Sequence, residues 1–194
     1  MITAELLQQA LGIPLARAAA WVEPVAAAAH YAQLDSVARL SAWLGQVGHE
    51  TLRLRYTAEI WGPTAQQIRY EPVTELSRRL GNTQPGDGRR YAGHGLIQTT
   101  GRHNHARVRD RLRARLQGSP VPDFEASPLL LCQPLWAALS AADYWLDRGI
   151  NAAADAGDHL TVTRRINGGT TGLADRLALT TQARAACILA GYSS

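Results

Sequence analysis

The chain has 194 residues, 46% hydrophobic and 19% charged, which suits one domain with a real core and excludes a disordered polymer. It is alanine-rich with a single Phe and a single Met, so helix is favoured. The formal net charge of +4 is localised: Arg102 to Gln117 carries six arginines against Asp110, giving +5, and the rest sums to about −1.

Helical signals follow one another from the start. Leu6, Leu7, Ala10 and Leu11 have helical spacing, and Pro14 can open a second helix through "LARAAAWV". Asp35 or Ser36 can cap a third, whose stripe is Val37, Leu40, Leu44 and Val47. A helix from Thr64 is disturbed by Pro72 and stopped at Gly81-Asn82, and Asn82 to Gly88 reads as loop. The arginine-rich helix has Val108, Leu112 and Leu116 on one face and ends at Gly118. Ser127-Pro128 opens "LLLCQPLWAALSAADYWLDRG", which Pro134 kinks or truly begins and Gly149 stops. Asp158 can cap "HLTVTRRI", and Gly172 precedes a last helix ending at Gly191. Strand patterns are scarce; the best place for a small hairpin is Arg53 to Trp61.

No repeat, low-complexity tract or linker divides the chain, so a single domain is predicted over 1–194. The first residues carry Glu5 and no basic region, and no apolar run approaches a signal core or membrane span, which predicts a chain not addressed to secretion. Cys132 and Cys187 are too few and too far apart for a disulfide framework and read as buried small hydrophobes. No Cys/His cluster marks zinc, and neither metal nor cofactor is predicted.

The chemistry centres on two glutamates. On an ideal helix Glu50 points from the same side as Trp43 and Val47, where partial desolvation raises a carboxyl pKa and suits it to donate a proton. Glu59 on the same helix would face away, about 13 Å further along. The helical pattern lapses after Thr51, so the chain can turn and bring Glu59 across a cleft as an ionised base. That is the two-carboxylate arrangement of glycoside hydrolysis, inverting at a separation of about 6.5 to 9.5 Å. Alone, such a pair is more often a cap or a solvated face.

Three motifs in order change that weighing. "GQVGHET" with Glu59, "GDGRRYAGHGLIQTTGRHNH" and "INGGTTGLADR" resemble glycoside hydrolase family 19, the chitinase-type and phage-endolysin-type enzymes of the lysozyme superfamily, across roughly Tyr31 to Ile188. The resemblance implies a mainly α, lysozyme-like domain of two helical lobes around a cleft, with at most a small β-hairpin and with residues 1–30 packed on the core. It implies Glu50 as general acid and Glu59 as general base. It further implies substrate binding by Gln98, water-holding by Thr100, sugar contacts by Asn104 and Asn167, Arg176 beside the second glutamate, and His49 and Tyr91 shaping the cleft. Trp61 is the stacking candidate, whereas Trp43, Trp136 and Trp145 lie on apolar stripes and read as core. Asn167 before Gly168-Gly169 also fits a helix stop, and Tyr91 and His49 also fit structural roles. Ala92 and His94 stand where the family often has arginine, which puts subsites and pH optimum in question.

The expected substrate is the β-1,4-linked glycan of peptidoglycan, with chitin oligomers the alternative and an inactive wall-binding homologue a third reading. A compact chain without a signal resembles a phage or prophage endolysin, held in the host cytoplasm until a holin releases it to the wall, and a monomer is expected. The Arg102 to Arg115 helix suits an anionic cell envelope. Its arginines at 107, 109, 111, 113 and 115 are scattered round the helix without interleaved aromatics, which argues against nucleic acid.

Overall fold

A computed structural model describes residues 1–193 and is mainly helical. The first three helices are α1 (Ala4–Leu11), α2 (Leu15–Ala32) and α3 (Val37–Glu50), followed by three short ones, α4 (Ala65–Ile68), α5 (Glu75–Leu80) and α6 (Asp87–Arg90). Then come α7 (Arg102–Arg115), a 3-10 turn at Pro128–Cys132, α8 (Pro134–Asp147), α9 (Ile150–Asp155), α10 (His159–Asn167) and α11 (Leu173–Leu189).

The starts obey local chemistry. Thr3, Ser36 and Asp158 each accept a backbone N–H of the first turn, satisfying donors that a helix leaves free. Pro134 sits at the first position of α8 and marks its true start rather than a kink. Pro72 splits the helix expected from Thr64 into α4 and α5. The segment read as loop before Gly88 runs into the single turn of α6, α9 was not anticipated, and α11 stops two residues short of Gly191.

One lobe is built from α1, α2, α3, α8, α9, α10 and α11 around Leu7, Leu11, Leu40, Trp43, Leu44 and Trp145. Within it α3 lies along α11 and α2 along α8. At the α3–α11 crossing a Cβ on Gly45 would stand 2.0 Å from Thr180 Oγ1 and 3.0 Å from backbone atoms, so only glycine permits this approach. A smaller core of Val108, Leu112, Phe124, Leu131 and Leu139, with Trp136 against it, seats α7 on α8. Trp43 and Trp145 are fully buried, as expected of core residues. Cys187 is buried and Cys132 half-buried, both as free thiols.

The second lobe, residues 52 to 101, holds the short helices and the little β structure. No hairpin forms within Arg53 to Trp61. The pairings are isolated antiparallel bridges, Ala58 with His94 and His94 with Thr99. The reason lies just upstream: Leu52, Arg53 and Leu54 all take left-handed φ angles, 47°, 59° and 58°, so the chain coils back after α3 instead of extending. No helix among the described residues is long and apolar enough to cross a membrane.

Candidate active site

Glu50 is the last residue of α3. Thr51 ends the helix by turning its hydroxyl back to the Val47 carbonyl at 2.5 Å while accepting from Leu54 N–H at 2.7 Å. Arg176 of α11 then meets Glu50, donating from Nη2 to Oε1 at 2.5 Å. Its Nη1 donates to Gln46 Oε1 at 2.7 Å and its Nε to the Thr171 carbonyl at 3.2 Å. Arg176 is 1% exposed and Glu50 24%. Two expectations change. Arg176 belongs to the first glutamate, not the second, and Glu50 sits in an ion pair rather than in a purely apolar setting.

Glu59 is held from the other lobe. Its backbone N–H donates to the Gly93 carbonyl at 2.7 Å, and Gly93 N–H donates to Oε2 at 3.0 Å. Gln67 Nε2 donates to Oε1 at 2.9 Å and to the Ile60 carbonyl, while Gln67 Oε1 accepts from Thr64 and Gly62 N–H. Every polar atom of this buried amide is therefore used, and its orientation toward Glu59 is fixed. Sequence reasoning missed Gln67, although Thr64-x-x-Gln67 is a capping-box signature and the structure forms that box. Gly93 also explains where Gln98 lies: a Cβ there would come within 2.4 Å of Gln98 Oε1. The substrate-binding candidate is thus folded against the residue that anchors the base.

Beside Glu59 a buried histidine pair braces the bridge segment. His105 Nδ1 donates to the Gly101 carbonyl at 2.9 Å, which leaves its Nε2 to accept from His94 Nδ1 at 2.9 Å. Burial pushes the His105 pKa down to about 4, with the Gly101 carbonyl opposing. Burial also lowers the His94 pKa, with Glu59 opposing. A histidine depressed in the fold contributes stability above its unfolded value near 6.5 that is lost as pH falls toward 4. Between those limits His105 is expected to remove about 3 kcal/mol of unfolding free energy. Denaturant titrations at stepped pH should show the loss, and His105→Phe should flatten the slope; an unchanged slope would refute the assignment.

The remaining candidates divide. Gln98, Thr100 and Asn104 share one pocket with Arg107, Tyr144 and Arg148. Asn104 donates to the Thr100 carbonyl at 2.7 Å. Tyr144 and Arg148 continue into a second pocket lined by Asn167, Arg164 and Arg165, so both asparagines lie along one groove. Burial raises the Tyr144 pKa; Arg148 opposes, and the negative charges of Glu50 and Asp147 add to the rise. Tyr144 had no signal beyond its place on an apolar helix. Trp61 is half-exposed on the Glu59 segment. Tyr91, expected to shape the cleft, is instead fully buried, its hydroxyl donating to the Glu125 carbonyl and its ring under Arg102 at 4.6 Å. It supports the start of α7 and offers a substrate no surface. His49 bonds Asp175 through Nδ1 at 2.6 Å, with its ring against Gly172, tying α3 to α11.

The basic helix is less free than its composition suggested. Arg102 pairs with Asp87, Arg109 with Asp110, Asp123 and Glu125, and Arg111 with the buried Asp143 and with Asp147. Arg115 reaches Asp143 at 3.7 Å and Arg113 caps the Val121 carbonyl. Much of the +5 is thus spent inside the fold, which weakens the case for an envelope-facing surface.

No protein-family model matches the chain. A curated protein of Haemophilus influenzae, described as a glycosyl hydrolase family 19 domain-containing protein, is 35% identical over 144 residues, which is 71% of this chain and 64% of that protein. The chain therefore spans just under two thirds of that relative's length. Chitinase C from Streptomyces griseus superposes with a TM-score of 0.70 at 19% identity, covering 95% of this chain and 76% of that one. A further bacterial family 19 chitinase superposes with a TM-score of 0.69 at 18% identity, covering 95% and 94%. The chain is thus similar in sequence to a glycosyl hydrolase family 19 domain-containing protein, and its fold is that of bacterial family 19 chitinases.

Proposed function

We propose that the chain is a glycosidase that cleaves β-1,4 bonds in the glycan strands of peptidoglycan, acting as an endolysin of phage or prophage type and as a monomer. The observation that carries a two-carboxylate mechanism is that Glu50 and Glu59 come from different lobes and share no partner, Glu50 being bound by Arg176 and Glu59 by Gln67 and Gly93. Distinct settings let two like groups take different roles. Glu50 donates its proton to the leaving oxygen, and Arg176 then stabilises the carboxylate that remains. Glu59, aimed by Gln67 and the Gly93 N–H, takes a proton from a water that Thr100 helps to hold, and direct attack by that water inverts the anomeric centre. Gln98, Asn104 and Asn167 bind sugar hydroxyl and N-acetyl groups with donors and acceptors together, and Trp61 offers a stacking face.

A chitinase reading is supported by the solved structures the chain resembles, two of which are described as chitinases. Incubating the protein with purified peptidoglycan and, separately, with N-acetylglucosamine oligomers distinguishes the two. The expected result is glycan fragments with intact stem peptides in the mass spectrum and an inverted anomer in early NMR spectra. Cleavage of the oligomers alone would make it a chitinase, and a retained anomer would overturn the inverting step.

A further inference from the structure

The groove beside the candidate sugar-binding residues is edged by arginines that the fold does not use as ion pairs. Arg107, Arg148 and Arg164 have no carboxylate within 4.0 Å among the described residues, unlike Arg102, Arg109, Arg111 and Arg115 on the adjoining helix. Arg107 and Arg148 are exposed in the pocket that holds Gln98, Thr100 and Asn104, with Arg148 lying over the Tyr144 ring at 5.1 Å. Arg164 is exposed in the adjoining pocket with Asn167. There Arg165 turns its Nη1 onto the carbonyls of Arg148 and Gly149, which ties the two halves of the groove together.

The acids around this groove do not neutralise it. Asp147 lines the first pocket and is engaged by Arg111 at 3.3 Å. Asp158 lies near enough to Arg164 for that charge to help hold its carboxyl below the usual range, after its bonds to Thr161, but the two form no ion pair. Glu50, whose charge is felt at Tyr144, is already bound by Arg176. Three guanidinium groups without a carboxylate partner therefore line a channel whose other charged groups, Arg111 with Asp147 and Arg165 on backbone carbonyls, are already engaged. A neutral N-acetylglucosamine polymer offers them hydroxyl and carbonyl oxygens but no opposite charge. A strand bearing carboxylates on lactyl ethers and stem peptides presents the complementary charge at every second sugar, and guanidinium binds carboxylate with two parallel N–H donors.

We infer that Arg107, Arg148 and Arg164 are specificity-determining residues that bind carboxylates carried by the glycan beside the scissile bond. This rests on the peptidoglycan reading and assigns its selectivity to three positions that the motifs do not include. The charge is the discriminating element, since hydrogen bonding by the amides treats both polymers alike.

The test compares wild type with the triple variant Arg107→Gln, Arg148→Gln, Arg164→Gln on three substrates: soluble peptidoglycan strands, the same strands with their carboxylates amidated by carbodiimide and glycinamide, and neutral N-acetylglucosamine oligomers. For wild type, amidation should lower kcat/KM by about tenfold or more, chiefly through KM, and the rate on native strands should fall with added salt. In the variant the preference for native over amidated strands should disappear, together with the salt dependence. The wild-type amidation arm does not depend on the variant folding. Equal wild-type rates on native and amidated strands, or a preference that survives in a folded variant, would overturn the inference and leave the wall-glycosidase reading standing. Cleavage of the oligomers with none of either strand would overturn that reading and the inference with it.

Discussion

Glu50→Gln is expected to lower turnover of the cleaved glycan by about 10²- to 10⁴-fold, the usual contribution of a positioned general acid. The amide retains an oxygen where Arg176 donates at 2.5 Å, so the contact between α3 and α11 has an acceptor in both proteins. The loss should fall on kcat with little change in KM, because the missing proton matters only as the leaving oxygen departs. Fragment release measured by mass spectrometry, with circular dichroism to confirm an unchanged fold, checks this. A variant retaining more than about a tenth of wild-type turnover would remove Glu50 from the role of acid.

Arg176→Leu is the substitution expected to cost most stability. It removes a buried cation that joins Glu50, Gln46 and the Thr171 carbonyl, three groups from α3 and from the turn before α11. Breaking a buried ion pair by removing one partner typically costs about 3 to 5 kcal/mol, and the partial exposure of Glu50, at 24%, points to the lower end. For a chain of this size about 3 kcal/mol corresponds to a melting temperature lower by about 6 to 12 °C. Arg176→Lys should not rescue it, since one ammonium cannot reproduce a fork that spans three acceptors. Thermal melts of the three proteins decide the matter: a loss below about 1 kcal/mol for Leu, or full rescue by Lys, would mean that the network is not holding the lobe.

These expectations show where the sequence was legible. Caps and punctuation are local, so Ser36, Asp158 and Pro134 marked true starts, and the apolar stripe of α3 identified its buried face. The three motifs could be read because each is a short run whose members stay together in the fold. Long-range partners were a different matter. Which glutamate meets an arginine 126 positions downstream depends on how α3 lies along α11, and that depends on the close approach at Gly45. The pairing of the α7 arginines was equally hidden, because most of their acids sit on three other segments: Asp87, Asp123 to Glu125, and Asp143 with Asp147 on α8. Tyr91 was misplaced for a related reason. A motif fixes a residue's position in the chain, while burial beneath Arg102 and against His105 is a property of the assembled lobe.

The coil at Leu52, Arg53 and Leu54 bears on the order in which the protein loses its properties. Three successive non-glycine residues in left-handed conformations each cost about 1 to 2 kcal/mol locally, and the surrounding contacts must offset that. Those contacts are Leu54 in the core, the Thr51 hydroxyl beneath it, and backbone bonds from Arg53 N–H to the Gly48 carbonyl at 2.7 Å and from Arg55 and Tyr56 N–H to the Thr51 carbonyl at 3.0 Å, while the Leu52 and Arg53 side chains are exposed. This same stretch carries the chain from Glu50 toward Glu59. Local opening of this coil would therefore alter the span between the two glutamates while α3 and α11 stay folded.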